Sequence, residues 1–431
     1  MRGVGGEGYL ENVVTVSAGR SPIDLVEALQ SHSLALTSDG RVYAWGDDTY
    51  GQLGDGASRN RDTSWRDMNF RRDLTQTTPV RVVGVGGIGY LEDVIGVSTG
   101  HAHSLAVTVA GNVYAWGDAG YGRLGDGAGY QRDYGAFGFA QATPARVLGV
   151  DGIGYLENIV AVSAGRDFSL ALGAEGHVFA WGRNWGGQLG NGRGDFRTGN
   201  SSSVPVRVRG VGDNGYLENI AAISAGGEHS LAVAIDGAVY SWGRNFSGEL
   251  GNGLEWSRDA LKQITPVSVV GVTGDGRLVD ILSVSSGEAH SLALTIDGTI
   301  YAWGDNLRGQ RGDGDDFSTR ISAPVLVRGR SEKGRLQDII AVDATVFNSY
   351  AVSADGYLYA WGSGDMGQLG DGRSGRGHRT NTPLRVRGVT DPGLPWAMPL
   401  ATFTTITAVG FRLRNRHLAK VRSVVEVGSL R

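Results

Sequence analysis

A four-residue phrase, aromatic–small–Trp–Gly, occurs six times and constrains this chain more than any other feature. It reads Tyr43-Ala44-Trp45-Gly46, Tyr114-Ala115-Trp116-Gly117, Phe179-Ala180-Trp181-Gly182, Tyr240-Ser241-Trp242-Gly243, Tyr301-Ala302-Trp303-Gly304 and Tyr359-Ala360-Trp361-Gly362. The tryptophans stand 71, 65, 61, 61 and 58 residues apart. Self-similarity at such a period belongs to a radial or linear array of units, none of which buries its apolar face alone. Function must then reside in what differs between copies.

The unit from Ile220 to Val269 shows the pattern. Ile220-Ala-Ala-Ile223-Ser-Ala-Gly226 reads as a short strand ending on glycine, and His229-Ser-Leu231-Ala-Val233 alternates bulky with small as a second. Asp236-Gly237 is a hairpin signal, because glycine accepts the positive φ of such turns. Val239-Tyr-Ser-Trp242-Gly243 makes a third strand; Gly248-Glu-Leu250-Gly-Asn252-Gly253 and a variable loop lead to a fourth, Pro266-Val-Ser-Val269. Sheets that are bulky on one face and small on the other can stack on rotated copies of themselves. The expectation is an all-β propeller of four-stranded blades. A strand-and-helix solenoid would need helical periodicity over ten residues, which the unit lacks.

The motifs Ser17-Ala-Gly19, His32-Ser-Leu-Ala-Leu-Thr37, Asp39-Gly40, Val42-Tyr-Ala-Trp-Gly46 and Gly51-Gln-Leu-Gly-Asp-Gly56 resemble the repeat of the regulator of chromosome condensation family. The resemblance covers about residues 1 to 389, in six complete units, and implies a propeller that has seven blades in the founding members. Thr390 to Arg431 departs from it: Thr405-Ile-Thr-Ala-Val409 echoes a first strand, but no Trp-Gly or Gly-Asp-Gly follows. Residues 390–431 are therefore expected to be an incomplete seventh blade, a closed ring of six being the alternative. The strong similarity of the repeats resembles bacterial members.

Composition narrows the function classes. With 71 glycines, 10 prolines and 41% hydrophobic residues, the chain suits many short strands joined by tight turns. A formal net charge of −4 gives no global attraction for nucleic acid. The absence of cysteine excludes disulfides, thiolate metal sites and cysteine nucleophiles. No apolar run is long enough to span a bilayer. Residues 2–11 match the middle of a unit, so an export signal upstream is compatible with the sequence; a secreted or cell-surface location competes with a cytoplasmic one.

Three motifs suggest ligands and have simpler readings. Gly84-Val-Gly86-Gly-Ile-Gly89 has dinucleotide-fingerprint spacing, yet Tyr90-Leu91-Glu92 leads to a strand rather than the helix that would face a pyrophosphate. His32, His103, His229 and His290 share one repeat position, where Phe168 and Asn348 stand in the other units. Spread around a ring, they cannot gather on one metal, and a structural hydrogen bond to a neighbouring strand is expected. Asp55, Asp126, Asn191, Asn252, Asp313 and Asp371 recur between glycines, and the Asp/Asn interchange points to turn capping. The cluster Asp313, Asp315 and Asp316 reads as a solvated turn. No metal, cofactor or catalytic set is expected from these patterns.

The variable loops before each fourth strand carry the candidate partner-binding residues. They are Trp65, Arg66, Phe70, Arg71 and Arg72 in the first, Tyr130, Arg132, Tyr134 and Phe137 in the second, and Phe196 and Arg197 in the third. Trp256 and Arg258 follow in the fourth, Phe317 and Arg320 in the fifth, and Arg376, His378 and Arg379 in the sixth. Equivalent loops of a radial repeat emerge on one side of the ring. Aromatic and arginine side chains there are the types that carry interface energy. The inserted segment Arg20–Gln30, with a helical turn expected over Asp24–Leu29, is a further candidate for specificity.

The function that follows is a monomeric, non-catalytic interaction scaffold binding a protein, or a glycan, through that crown. The family resemblance implies an alternative, guanine-nucleotide exchange on a small GTPase, although no residue here matches the exchange wedge. A propeller enzyme working in the central channel is the third reading; it requires acids or histidines converging near the axis.

Overall fold

In a computed structural model, residues 8–19, 31–57, 75–128, 140–194, 200–254, 259–272, 274–315, 317, 320–329 and 334–387 are described. They form six antiparallel four-stranded sheets, each with its strands in sequence order. In blade one the strands are Val13–Ala18, His32–Thr37, Val42–Asp47 and Thr75–Arg81. The first strands of the others are Val94–Thr99, Ile159–Ala164, Ile220–Ala225, Ile281–Ser286 and Ile339–Ala344, and successive ones lie against each other around the axis. The propeller expectation holds, with six blades; residues 390–431, on which the seventh rests, lie outside the described residues.

The blades stack by a finer rule than bulky against small. In blade four the second strand turns Leu231 and Val233 toward blade five, while its small Ser230 and Ala232 face blade three beside Trp242 and Tyr240 of the third strand. Both faces thus carry bulk, but across the strand pair a large residue sits beside a small one at every registered position except the last, where Val233 meets Val239. Leu231, Val233 and Val239 pack with Ile281, Val284, Ala293 and Trp303 of blade five to make one interblade core. Burying each such side chain contributes about 1.5–3 kcal/mol.

Trp-Gly has two separable causes. Trp116, Trp181, Trp242, Trp303 and Trp361 are fully buried, and each donates Nε1–H to a carbonyl of the preceding blade: Gln52, Arg123, Gln188, Glu249 and Gln310, at 2.8–2.9 Å. The same five carbonyls accept a serine hydroxyl from Ser104, Ser169, Ser230, Ser291 and Ser349. The glycine has φ between 95° and 107° in all six copies, at a register shift between third and fourth strands, and an added Cβ would strike the backbone of the second strand. Only glycine fits there.

The histidines take the structural role expected of them. Nε2 of His32, His103, His229 and His290 lies 2.8–3.0 Å from Oγ of Ser104, Ser169, Ser291 and Ser349 in the next blade. The Nδ1 and Cε1 atoms of the ring lie against the glycine that follows the first strand, where a Cβ at Gly100, Gly226 or Gly287 would overlap them. Blade six changes both partners together, with Thr345 for the glycine and Asn348 for the histidine. Burial pushes the His32 imidazole down to about 3, with His101 adding to the shift.

Turn capping is also as expected. Oδ1 of Asp55, Asp126, Asn191, Asn252, Asp313 and Asp371 accepts the backbone N–H two residues on, at 2.9–3.3 Å. Asp313 corrects the solvated reading: it is buried and paired with Nε of Arg311 at 2.7 Å. The stretch from Gly84 to Gly89 is a closed turn, Gly84 N–H to Gly89 O at 3.0 Å, followed by a strand, so it is no nucleotide fingerprint.

Candidate functional site

Antiparallel order sorts the connections. The turns after the first strands and the variable connections after the third strands leave from one side of the ring, called here the loop face. The Asp-Gly hairpins and the blade-to-blade links lie on the opposite, hairpin face. Most of the expected crown falls outside the described residues: Trp65, Arg66, Phe70, Arg71, Arg72, Tyr130, Arg132, Tyr134, Phe137, Phe196, Arg197, Trp256 and Arg258, together with the insertion at 20–30.

The remaining candidates are placed. Arg379 stacks on Phe317, guanidinium carbon to ring centre 4.0 Å, and donates Nη1–H to Leu307 O of blade five at 2.7 Å. Arg320 donates in the same way to Phe246 O of blade four, 3.3 Å, and Lys262 to Gly194 O of blade three, 2.7 Å. These cations begin fourth strands and moor them to the preceding blade. His378 sits 3.1 Å from Asp371, and Arg376 is exposed.

Another set on the loop face was missed in the sequence. It lies in the turns just after Trp-Gly, where copies differ. The Arg183 guanidinium lies 4.1 Å over Trp185 and 5.4 Å from the Tyr121 ring, and Tyr121 meets Trp185 edge-on with ring centres 5.8 Å apart. Arg244 covers Phe246 at 4.5 Å. Continuing round the ring, Leu307 is 53% and Met366 85% exposed. The signal was available, since Trp185, Phe246, Leu307 and Asp365 replace one another at a fixed distance from Trp-Gly.

Beneath these rings runs an alternating line of charge. Arg123 pairs with Asp118 at 3.6 Å and with Asp167 of blade three at 2.9 Å. Arg183 then joins Asp167, 3.1 Å, to Glu228 of blade four, 3.0 Å, and Arg244 continues to Glu228 at 3.3 Å and Glu249 at 3.8 Å. Burial alone would raise the Asp167 carboxyl, but Arg123, Arg183 and Arg166 outweigh it and hold the group well below the usual carboxylate range. Burial raises Glu249 despite Arg244. The line fixes the guanidinium planes on which the aromatic rings rest.

A cavity of about 620 Å³ is lined by the first strands and by Tyr350, Val352 and Leu358 of blade six, and its described walls carry serines and a single acid, Asp343. Among the described residues no three His, Asp or Glu side chains converge as metal ligands.

A family profile described as the RCC1-like domain matches residues 6–403. The chain belongs to the RCC1-like domain family. Among curated relatives, the ultraviolet-B receptor UVR8 of Arabidopsis thaliana is 29% identical over 403 residues, 83% of this chain and 81% of that protein. The probable E3 ubiquitin-protein ligase HERC6 of Homo sapiens is 34% identical over 301 residues, but this RCC1-like chain spans only 25% of its length. Among solved structures, yeast RCC1 (Prp20) bound to Kap60 superposes with a TM-score of 0.64 at 25% identity, over 88% of this chain and 75% of that one. Human WBSCR16, with a TM-score of 0.66 at 22% identity and coverage of 89% and 84%, shares the fold. Among the described residues no helix is long and apolar enough to cross a membrane.

Proposed function

We propose that this RCC1-like propeller is a protein-interaction module that docks its partner on the loop face. The observation that carries the reading is the Tyr121–Arg183–Trp185 stack, extended by Arg244 and Phe246 and by exposed Leu307 and Met366. Rigid aromatic rings and pre-oriented guanidinium groups give contact area at little entropic cost, which is the composition of interface hot spots. The relatives add support: one solved structure is of yeast RCC1 bound to Kap60, and another reports binding of Prp20p to Gsp1p and histones. The variable loops, including Arg66, Arg71, Arg72 and Arg132, belong to the same proposed surface.

The test is affinity capture with the whole chain against a W185A/F246A/M366A variant and, separately, a variant carrying Glu at 66, 71, 72 and 132. Loss of the same captured protein from both variants is expected. An unchanged capture profile with both would remove the loop face from consideration. Guanine-nucleotide exchange is the second reading, favoured by the similarity to Prp20p. It predicts accelerated nucleotide release from a small GTPase, and no acceleration across a panel of such GTPases ends it.

A further inference from the structure

The pair Asn-Gly occurs three times in the chain, at 191–192, 214–215 and 252–253. It is a reactive place for an asparagine, because glycine has no Cβ to shield its backbone nitrogen from the preceding carboxamide. The fold treats the three copies differently. Asn191 and Asn252 cap turns, and their carboxamides are held. Oδ1 of Asn191 accepts Arg193 N–H and Asn184 Nδ2–H, both at 3.1 Å. Oδ1 of Asn252 accepts Leu254 N–H at 3.3 Å and Asn245 Nδ2–H at 3.4 Å. The nitrogens that follow are held too: Gly192 N–H by Ile264 O at 3.0 Å, and Gly253 N–H by Ser322 O at 2.7 Å.

Asn214 sits instead at the tip of the link from blade three to blade four, exposed together with Gly215. Equivalent tips carry Ile88, Ile153 and Asp275. The turn is closed below the tip by Gly210 N–H to Gly215 O at 3.1 Å. Among the described residues, neither Asn214 O nor Gly215 N–H, the two polar groups of the peptide between them, makes a hydrogen bond. The backbone at Asn214 is extended, with φ −91° and ψ 101°, so this peptide must rotate before its nitrogen reaches the carboxamide carbon. No hydrogen bond is lost in turning it, and nothing lies within 4 Å of where a Cβ on Gly215 would stand.

We propose that Asn214 is a site of spontaneous deamidation, a slow covalent change that makes the hairpin face more acidic as the protein ages. Gly215 N attacks Asn214 Cγ and closes a five-membered succinimide. The carboxamide NH2 leaves with the Gly215 proton as ammonia. Water then opens the ring at either carbonyl, giving aspartate or isoaspartate, with no oxidant or reductant involved. The aspartate product fits the turn, since the next link holds Asp275-Gly276 in the same place, closed by Gly271 N–H to Gly276 O at 3.4 Å. Isoaspartate adds a carbon to the backbone and so strains the bond from Gly210 to Gly215. Either product places a new carboxylate next to Asp213, which pairs with Arg209 at 3.6 Å. The site is on the face opposite the proposed docking surface and stands whether or not that surface is correct.

The test incubates the whole chain at pH 8 and at pH 6 and follows its peptides by mass spectrometry. The mass gain of an amide becoming an acid is expected at Asn214, faster at pH 8 because the attacking nitrogen must lose its proton. Conversion at Asn191 and Asn252 should be slower by about tenfold or more, since each pair must first give up a backbone hydrogen bond and its carboxamide contacts. In urea the three pairs should react at similar rates, which assigns the native order to the fold. Asn214→Gln should remove the early product, and Asn214→Asp should melt with the parent, as the Asp275 turn implies. An Asn214 that keeps its amide in the folded chain while losing it in urea, or equal native rates at the three pairs, would overturn the assignment.

Discussion

Arg166 of blade three reaches past Gly227 of blade four to Glu288 of blade five, Nη1 to Oε1 3.1 Å. The bridge ties alternate blades at the loop-face mouth of the channel, and it exists because the intervening blade has no side chain there. A Cβ on Gly227 would lie 2.5 Å from Glu288 O and 2.6 Å from its carboxyl atoms. Gly227→Ala should therefore destabilise by about 1–3 kcal/mol through overpacking. Arg166→Ala, which removes a partly exposed pair, should cost about 1 kcal/mol or less. Urea melts of the two variants check the order, and the reverse order would show the bridge to matter more than the space.

Acid sensitivity should come from the buried imidazoles. His32 has its pKa lowered in the folded state to about 3, against the ordinary 6.5. The unfolded chain takes up that proton first, so this contribution to stability is complete above pH 6.5 and lost as pH falls through 6.5 toward 3. The slope reaches about 1.4 kcal/mol per pH unit for one such group. Glu249 and Asp305, raised by burial, act in the opposite direction. Comparison with His32→Asn, the residue blade six carries at that place, isolates the effect. The difference in urea midpoint between pH 8 and pH 5 should shrink in the variant, and an unchanged difference would mean His32 protonates in the fold.

The tryptophans should be unequal. Trp242 is fully buried and donates to Gln188 O at 2.9 Å, whereas Trp45 of blade one is only half-buried. Trp242→Ala should cost about 3–5 kcal/mol and Trp45→Ala clearly less. Thermal melts of the two variants measure this directly; equal losses would contradict the packing.

On the hairpin face, three links share a clamp that two lack. Arg81 lies 4.0 Å over Tyr90 and 2.8 Å from Glu92; Arg146 lies 4.3 Å over Tyr155 and 2.8 Å from Glu157; Arg207 lies 4.3 Å over Tyr216 and 3.4 Å from Glu218. After blade four the same positions hold Ser268, Arg277 and Val279, so all three members change together. Installing S268R, R277Y and V279E should stabilise by about 0.5–1 kcal/mol, read as a raised melting temperature. The single change S268R should give less.

Strand positions, the Asp-Gly hairpins and the capping role of Asp55 and its equivalents were legible in the residues because each depends on backbone geometry within a few positions. The pairing of His32 with a neighbouring strand was also legible as a type of contact. Its partner, Ser104, was not: 72 positions away, it is adjacent only after one blade is rotated onto the next. The Arg183 junction between Asp167 and Glu228 was hidden for the same reason, and so was the mooring role of Arg320 and Arg379. The chain alone specified a repeated sheet and the turns that end its strands, since those are local hydrogen-bonding and side-chain periodicity. Rotation of the blades about an axis decided which copy faces which, and so placed Asp343 among serines and Tyr121 of blade two against Trp185 of blade three, because contacts between blades depend on rotation in space and not on spacing along the backbone.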